Sequence, residues 1–445
     1  MSCDNRKERS VYAVSFDIIG GKDVMPVGAF VGPFSRNDSD KKDYPEFVNE
    51  AFFKKCAACG INLFVYPHEY ADVAPESVDK ALRLCEKYHI GYFAMHRYFT
   101  HVFMGQERAD KEKIAHILRK FSEYPAFVGI HTKDEPVTPQ FGGLGAINDA
   151  FYELAEEGKH TYSNLYPRYY WDIPYGGRGG ENCTYEEYVD RYIRETHPRF
   201  LSYDHYVYET FNGSYRTNTD DYFTNLSVIR RKAEEHGIPF WVFVQAGGHW
   251  NDRGEEIPVI THFPKEGEFR WNVCTQLAYG AKGMQYFPLI QDIKFAKSEH
   301  GVQDFGRNGL FAANGNVNKW YRYAKEANAH IRCISEVLMN AANEGVIASG
   351  ISAAEIGDKP EIIKEGKYFE LERVFGDAVV GCFNYRGRTA LYAVNGLRRR
   401  SGEVSLAFGG TQRFRIVQGT QVSFGEGERI ALSLRPGEGA LVVLE

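Results

Sequence analysis

Residues 127–136 read FVGIHTKDEP: an apolar run that ends in two adjacent carboxylates, Asp134 and Glu135, with Pro136 behind them. Proline lacks a backbone donor and ends a central strand. The stretch is therefore expected to be a buried strand that delivers Asp134 and Glu135 to an edge of the fold.

Working outward, the chain repeats a unit of short apolar strand, polar loop and amphipathic helix, the pattern of parallel βα units. Strands are expected at 25–31, 61–66, 91–96, 127–133, 160–166, 200–206, 239–245 and 283–287, with an additional strand at 11–19 outside the cycle. Helices are expected between them. Gly60 and Gly237 stand where two of these helices stop, as residues that tolerate positive φ. Eight strands alternating with helices predict a (β/α)8 TIM barrel, typically of about 250 residues before insertions. Beyond Ala348 the helical periodicity gives way to short alternating runs separated by turn residues such as Gly409-Gly410 and Pro436-Gly437. This predicts a small C-terminal antiparallel β-sandwich. The expected division is a flexible tail over 1–10, a barrel over 11–345 and a sandwich over 346–445.

Composition excludes several classes. Hydrophobic residues at 43% and charged residues at 25% are globular values. A net charge of −6 offers no basic surplus for phosphate neutralisation, which argues against nucleic acid as a partner. The aromatic content is high, with 29 Tyr and 31 Phe, and tyrosines with one wet end suit the faces of sugar rings. No apolar run has the length of a membrane span. Ser2-Cys3-Asp4-Asn5 is similar to the start of a mature bacterial lipoprotein. It gives two expectations: a lipid anchor at Cys3 with a periplasmic or surface location, or an irrelevant Cys in a tail and a cytoplasmic location. Cys56 and Cys59 form a CxxC with no second pair or nearby His, so buried thiols are expected rather than zinc, and no cofactor is called for.

In such a barrel, aliphatic residues of one parity face the helices, and the other parity points inward and, at strand ends, into the active site. On the fourth strand Val128 and Ile130 suit the helix layer, which leaves Gly129, His131, Lys133 and Glu135 inward and Asp134 outward unless a bulge intervenes. The sixth strand turns Ser202, Asp204 and Tyr206 inward; the seventh turns Trp241, Phe243 and Gln245 inward. Tyr66 and His68 follow the second strand, His96 ends the third, and Gln285 sits on the eighth. Trp171 and Trp250 lie in glycine-rich loops after strands five and seven. The candidate catalytic residues are thus Glu135, Asp204 and Asp134. The candidate substrate-binding residues are Tyr66, His68, His96, His131, Trp171, Tyr206, Gln245, Trp250 and Gln285. Glycoside hydrolysis needs one carboxylic acid to protonate the departing oxygen and a second group to deliver a nucleophile or activate water. Glu135 and Asp204 meet that need, though a strand-end carboxylate also caps helices or pairs with a neighbour such as Lys133.

The ordered set VGAF on strand one, DEP after strand four, SYDHY on strand six and AYGAKGMQYF around strand eight resembles the clan of (β/α)8 glycoside hydrolases that includes β-galactosidases, particularly gut-bacterial members. The resemblance covers nearly the whole chain. It implies a carbohydrate substrate, Glu135 as the acid at the end of strand four, and a nucleophilic Glu at the end of strand seven. Gln245 stands there instead, and a neutral amide is no covalent nucleophile. Three readings follow. Glu135 acts as acid with Asp204 as base for water; or Asp134 and Glu135 serve a hexosaminidase whose substrate supplies its own acetamido nucleophile; or the chain binds carbohydrate on a decayed enzyme scaffold.

Overall fold

A computed structural model describes residues 10–36, 44–171, 183–211, 214–248, 260–291 and 309–445. Eight parallel strands, β1 (Val27–Phe30), β2 (Leu63–Tyr66), β3 (Gly91–Ala94), β4 (Phe127–Asp134), β5 (His160–Asn164), β6 (Leu201–Tyr203), β7 (Phe240–Gln245) and β8 (Met284–Phe287), pair in cyclic order. The seam between β5 and β6 closes through a parallel bridge of Leu165 with Tyr203, the Leu165 N–H donating to the Ser202 carbonyl at 2.8 Å. The result is a (β/α)8 barrel, so all strand C-termini open on one mouth.

Local chemistry sets the helices between the strands. Asn49 and Asp110 each accept a backbone N–H at the start of helices Glu50–Cys59 and Lys111–Phe121, and Thr184 with Glu187 forms a reciprocal cap on Tyr185–Thr196. Gly60 and Gly237 end their helices in the left-handed region, as the sequence predicts.

Leu63, Phe93, Val128, Tyr162, Trp241 and Phe243 fill the barrel interior together with Val14 and Phe16. The Phe16 ring lies 5.9 Å from Phe93 and 6.1 Å from Trp241, and 5.6 Å from His160 at the N-terminal end of β5. Residues 11–19 therefore do not form the strand expected of them. Their apolar pattern arises because alternate side chains plug the barrel floor, after which the chain makes two 3-10 turns, Asp17–Ile19 and Gly21–Asp23.

β4 departs from simple alternation twice. Its register slips against β3 between Phe127 and Gly129, and against β5 between His131 and Lys133. Gly129 takes φ 152°, and a Cβ there would lie 1.7 Å from the His160 carbonyl oxygen. Val128 consequently points into the barrel, Ile130 packs in the helix layer, and Asp134 turns inward rather than outward. This corrects the parity expected for Val128 and Asp134; bulges of this kind re-aim side chains next to functional sites.

After β6, strands Tyr208–Phe211 and Ser214–Thr217 form a hairpin joined by Ile260–Thr261 into a small antiparallel sheet. The C-terminal region is one antiparallel ladder of seven strands that starts at Ala341 and is folded over on itself as a β-sandwich. Its long strand Gly402–Gln418 pairs first with Leu371–Phe375 and then with Gly439–Leu444, with a register shift between Ala407 and Gln412 where it passes from one layer to the other. Val380, Cys382, Leu391 and Val442 pack between the layers. Val379, Phe383, Tyr392 and Val394, of the opposite parity, pack into the same core as Trp271 and Leu277 of helix Glu266–Ala278. No helix among the described residues is long and apolar enough to cross a membrane. Cys3, proposed from sequence as a lipid anchor, lies outside the described residues.

Candidate active site

Asn164, the last residue of β5, touches three acidic residues at the barrel mouth. Its Nδ2 donates to Asp204 Oδ1 at 2.8 Å and to Asp134 Oδ1 at 3.3 Å, and its carbonyl accepts the Glu135 N–H at 2.7 Å. Asp134 arrives at the end of the twice-bulged β4, and Asp204 follows β6 on the inward parity the sequence predicts. Glu135 takes φ 52°, a left-handed conformation that non-glycine residues adopt at a cost of about 1 kcal/mol or more. It is half-buried, whereas Asp204 is only 5% exposed.

Burial raises the proton affinity of both Asp134 and Asp204. The Asp134 charge raises Asp204 further, while Lys133 and the Asn164 amide pull in the opposite direction. Two carboxylates on one amide titrate as a unit, and this unit holds a proton well above the ordinary carboxylate range. The Tyr206 hydroxyl also bonds to Asp204. Burial and then Asp204 push up the Tyr169 and Tyr206 phenols, and Glu135 adds to both, so Glu135 and Asp204 face shared neighbours.

Other candidates frame this centre. Tyr66 is stacked 4.5 Å from Phe30, and its phenol is raised by burial and then by Asp134. His68 is exposed, with its ring 5.1 Å from Tyr66. The His131 ring lies 4.7 Å from Tyr66; its Nδ1–H donates to the Val65 carbonyl at 2.8 Å, and burial pushes its pKa down to about 3, so it is neutral. His96 is occupied as a helix cap, its Nδ1 accepting from the Tyr98 N–H at 3.2 Å beside Asp72. Trp171 ends the short helix Arg168–Trp171, and Trp250 lies outside the described residues.

The two glutamine candidates are placed differently. Gln245 is 1% exposed: its Nε2 faces the carbonyls of Tyr208, Gly247 and His262 at 3.2, 3.2 and 3.0 Å, and its Oε1 accepts the Tyr208 N–H at 3.1 Å. It stitches β7 to the added hairpin, a task for which a carboxylate lacks the donors. Gln285 is equally buried, bonded to Tyr162 and Ser202 below the mouth. Asn164 is absent from the sequence-derived candidates. It shares the inward parity of Tyr162, and a polar side chain in that place is the signal that identifies it.

The fold and mouth together define a (β/α)8 barrel with an acidic C-terminal centre and a β-sandwich behind it. No family model matches the sequence, and no curated protein matches it either. Solved structures do resemble it. A beta-galactosidase from the psychrophilic Marinomonas ef1 aligns over 75% of this chain and 64% of its own length at 11% identity, with a TM-score of 0.50. A maltogenic alpha-amylase from Thermotoga neapolitana aligns over 95% and 99% at 10% identity and TM-score 0.48, and a monomeric beta-xylosidase from Caulobacter crescentus over 98% and 98% at 10% and 0.46. At such identities the likeness concerns the fold.

Proposed function

We propose that the protein is a glycoside hydrolase that cleaves an O-glycosidic bond of an oligo- or polysaccharide. The observation that carries this reading is the meeting of the Asp134 and Asp204 carboxylates on the Asn164 amide at the C-terminal mouth of the barrel, with Glu135 bonded to the same residue through its main-chain N–H. Glu135, half-buried at the rim, protonates the departing glycosidic oxygen as the C–O bond breaks. Asp204 takes a proton from water as its oxygen bonds to the anomeric carbon from the opposite face, which inverts the configuration. The raised proton affinity of the Asp134–Asp204 unit makes it a stronger base at neutral pH than an ordinary carboxylate. Gln245 is engaged by bonds to the added hairpin, and this reading assigns it no chemical step. The test is proton NMR of the first product released from a panel of aryl glycosides. A product of inverted configuration is expected, and a retained one overturns Asp204 as base. Glycan binding measured by calorimetry without any turnover overturns the hydrolase reading.

A second reading is favoured by the inward turn of Asp134. In this reading Asp134, beside Glu135, orients a substrate's acetamido group, which then attacks the anomeric carbon itself. Cleavage confined to N-acetylhexosaminides, with retention, selects this reading; cleavage of plain hexosides rejects it.

A further inference from the structure

Below the three carboxylates runs a chain of buried hydrogen bonds with one direction. The Tyr162 hydroxyl donates to Gln285 Oε1 at 2.7 Å, which commits the other end of that amide to donating, and Gln285 Nε2 reaches Ser202 Oγ at 2.8 Å. Ser202 then donates to Asn164 Oδ1 at 3.1 Å, with Tyr162 also 3.1 Å from the same hydroxyl. The Asn164 oxygen is thus fixed toward the barrel core and its NH2 toward Asp134 and Asp204. Its two hydrogens match the two carboxylates. All four residues of the chain are at most 2% exposed, so no solvent competes for these bonds.

We propose that Asn164 is a positioning residue whose amide, aimed by Ser202, Gln285 and Tyr162, holds Asp134 and Asp204 together as one unit at the mouth. The inference rests on reading those carboxylates as the working groups of a hydrolase. It assigns Gln285 to the support of the site rather than to sugar contact. An amide that donates to both carboxylates favours their charged forms, opposing burial and mutual repulsion. The other groups facing the pair are Lys133 on β4, Tyr66 on β2, Tyr162 on β5, Tyr206 after β6 and Tyr169 on the short helix, and Glu135, just past β4, faces the last two. Of these, Tyr162 belongs to the chain itself.

The test uses full-length protein carrying 13C-carboxyl aspartate, with the Asp134 and Asp204 resonances assigned by substitution and titrated by NMR. Asn164→Ser, which withdraws the shared donor, is expected to move the midpoint of the pair up by about one pH unit, and Ser202→Ala, which removes a single oxygen below it, to move it in the same direction by less. On a turned-over glycoside, the acid limb of kcat/KM shifts with the NMR midpoint while KM stays within about two-fold. Unchanged midpoints in folded Ser202→Ala and Asn164→Ser overturn the proposal, even where thermal stability falls. A shifted midpoint in a protein that cleaves no glycoside keeps the positioning role and removes the hydrolase reading. Unchanged midpoints with inverting turnover do the reverse.

Discussion

Two strand ends at the same mouth carry inward polar groups and treat them in opposite ways. At the end of β7 both ends of the Gln245 amide are engaged, Nε2 by three carbonyls and Oε1 by one backbone N–H. At the ends of β4 and β6 two carboxylates share one amide donor and repel each other, and burial raises the proton affinity of both despite the Tyr206 bond to Asp204 and the charge of Lys133 near Asp134. A buried polar group with complete partners is scaffolding. Buried charge left under-compensated lowers stability and is characteristic of groups that do chemistry. The difference explains how a barrel can lack a carboxylate on β7 and still have an acidic centre: the centre is displaced toward β4, β5 and β6.

The sharpest way to break this contrast is at its acidic end. Glu135→Gln is expected to lower turnover about 10²–10⁴-fold with the thermal midpoint little changed, measured on an aryl glycoside that wild type cleaves. At the scaffold end, Gln245→Glu sets a carboxylate against three carbonyls and is expected to destabilise the fold by about 3 kcal/mol or more in urea denaturation, with no gain in activity. A stable, more active Gln245→Glu would show that β7 still belongs to the catalytic centre. Asp204→Asn should act in the other direction. A carboxylate whose folded pKa is raised makes its largest contribution to stability below its unfolded value, and loses it as pH rises toward neutrality. The variant is therefore expected to be more stable than wild type at pH 8, by on the order of 1–3 kcal/mol, and equal to it near pH 4. An effect on the acid side concerns His131, whose folded pKa is pushed down to about 3. A buried neutral His stabilises above its unfolded pKa near 6.5 and loses that contribution as pH falls, so His131→Phe should flatten the acid limb of stability by at most about 1.4 kcal/mol per pH unit.

The contrast was only partly legible in the sequence. Parity reads β6 and β7 correctly because those strands are regular: Asp204 and Gln245 point where alternation puts them. It fails on β4 because two bulges shift the count, and Gly129 within an apolar strand is the sign that alternation is interrupted. The added hairpin has its own signal in Asn212-Gly213, flanked by alternating residues, which the eight-strand cycle obscures. That hairpin is what consumes the Gln245 amide, so without it Gln245 reads as a missing nucleophile rather than as a fastener. The role of Asn164 was out of reach for a different reason. Its partners are 30 and 40 residues away in sequence, and only the closed barrel brings them onto one amide.

The sandwich sheet has a practical consequence for anyone who would divide the chain. Its strands Ala378–Tyr385 and Arg388–Asn395 are buried on both faces, Val380 and Leu391 toward the second layer and Phe383 and Tyr392 toward helix Glu266–Ala278. Cutting before Ala341 would strip the cover from that helix and expose a continuous apolar surface. A barrel expressed alone is expected to aggregate, and the intact chain to melt in calorimetry as a single cooperative transition.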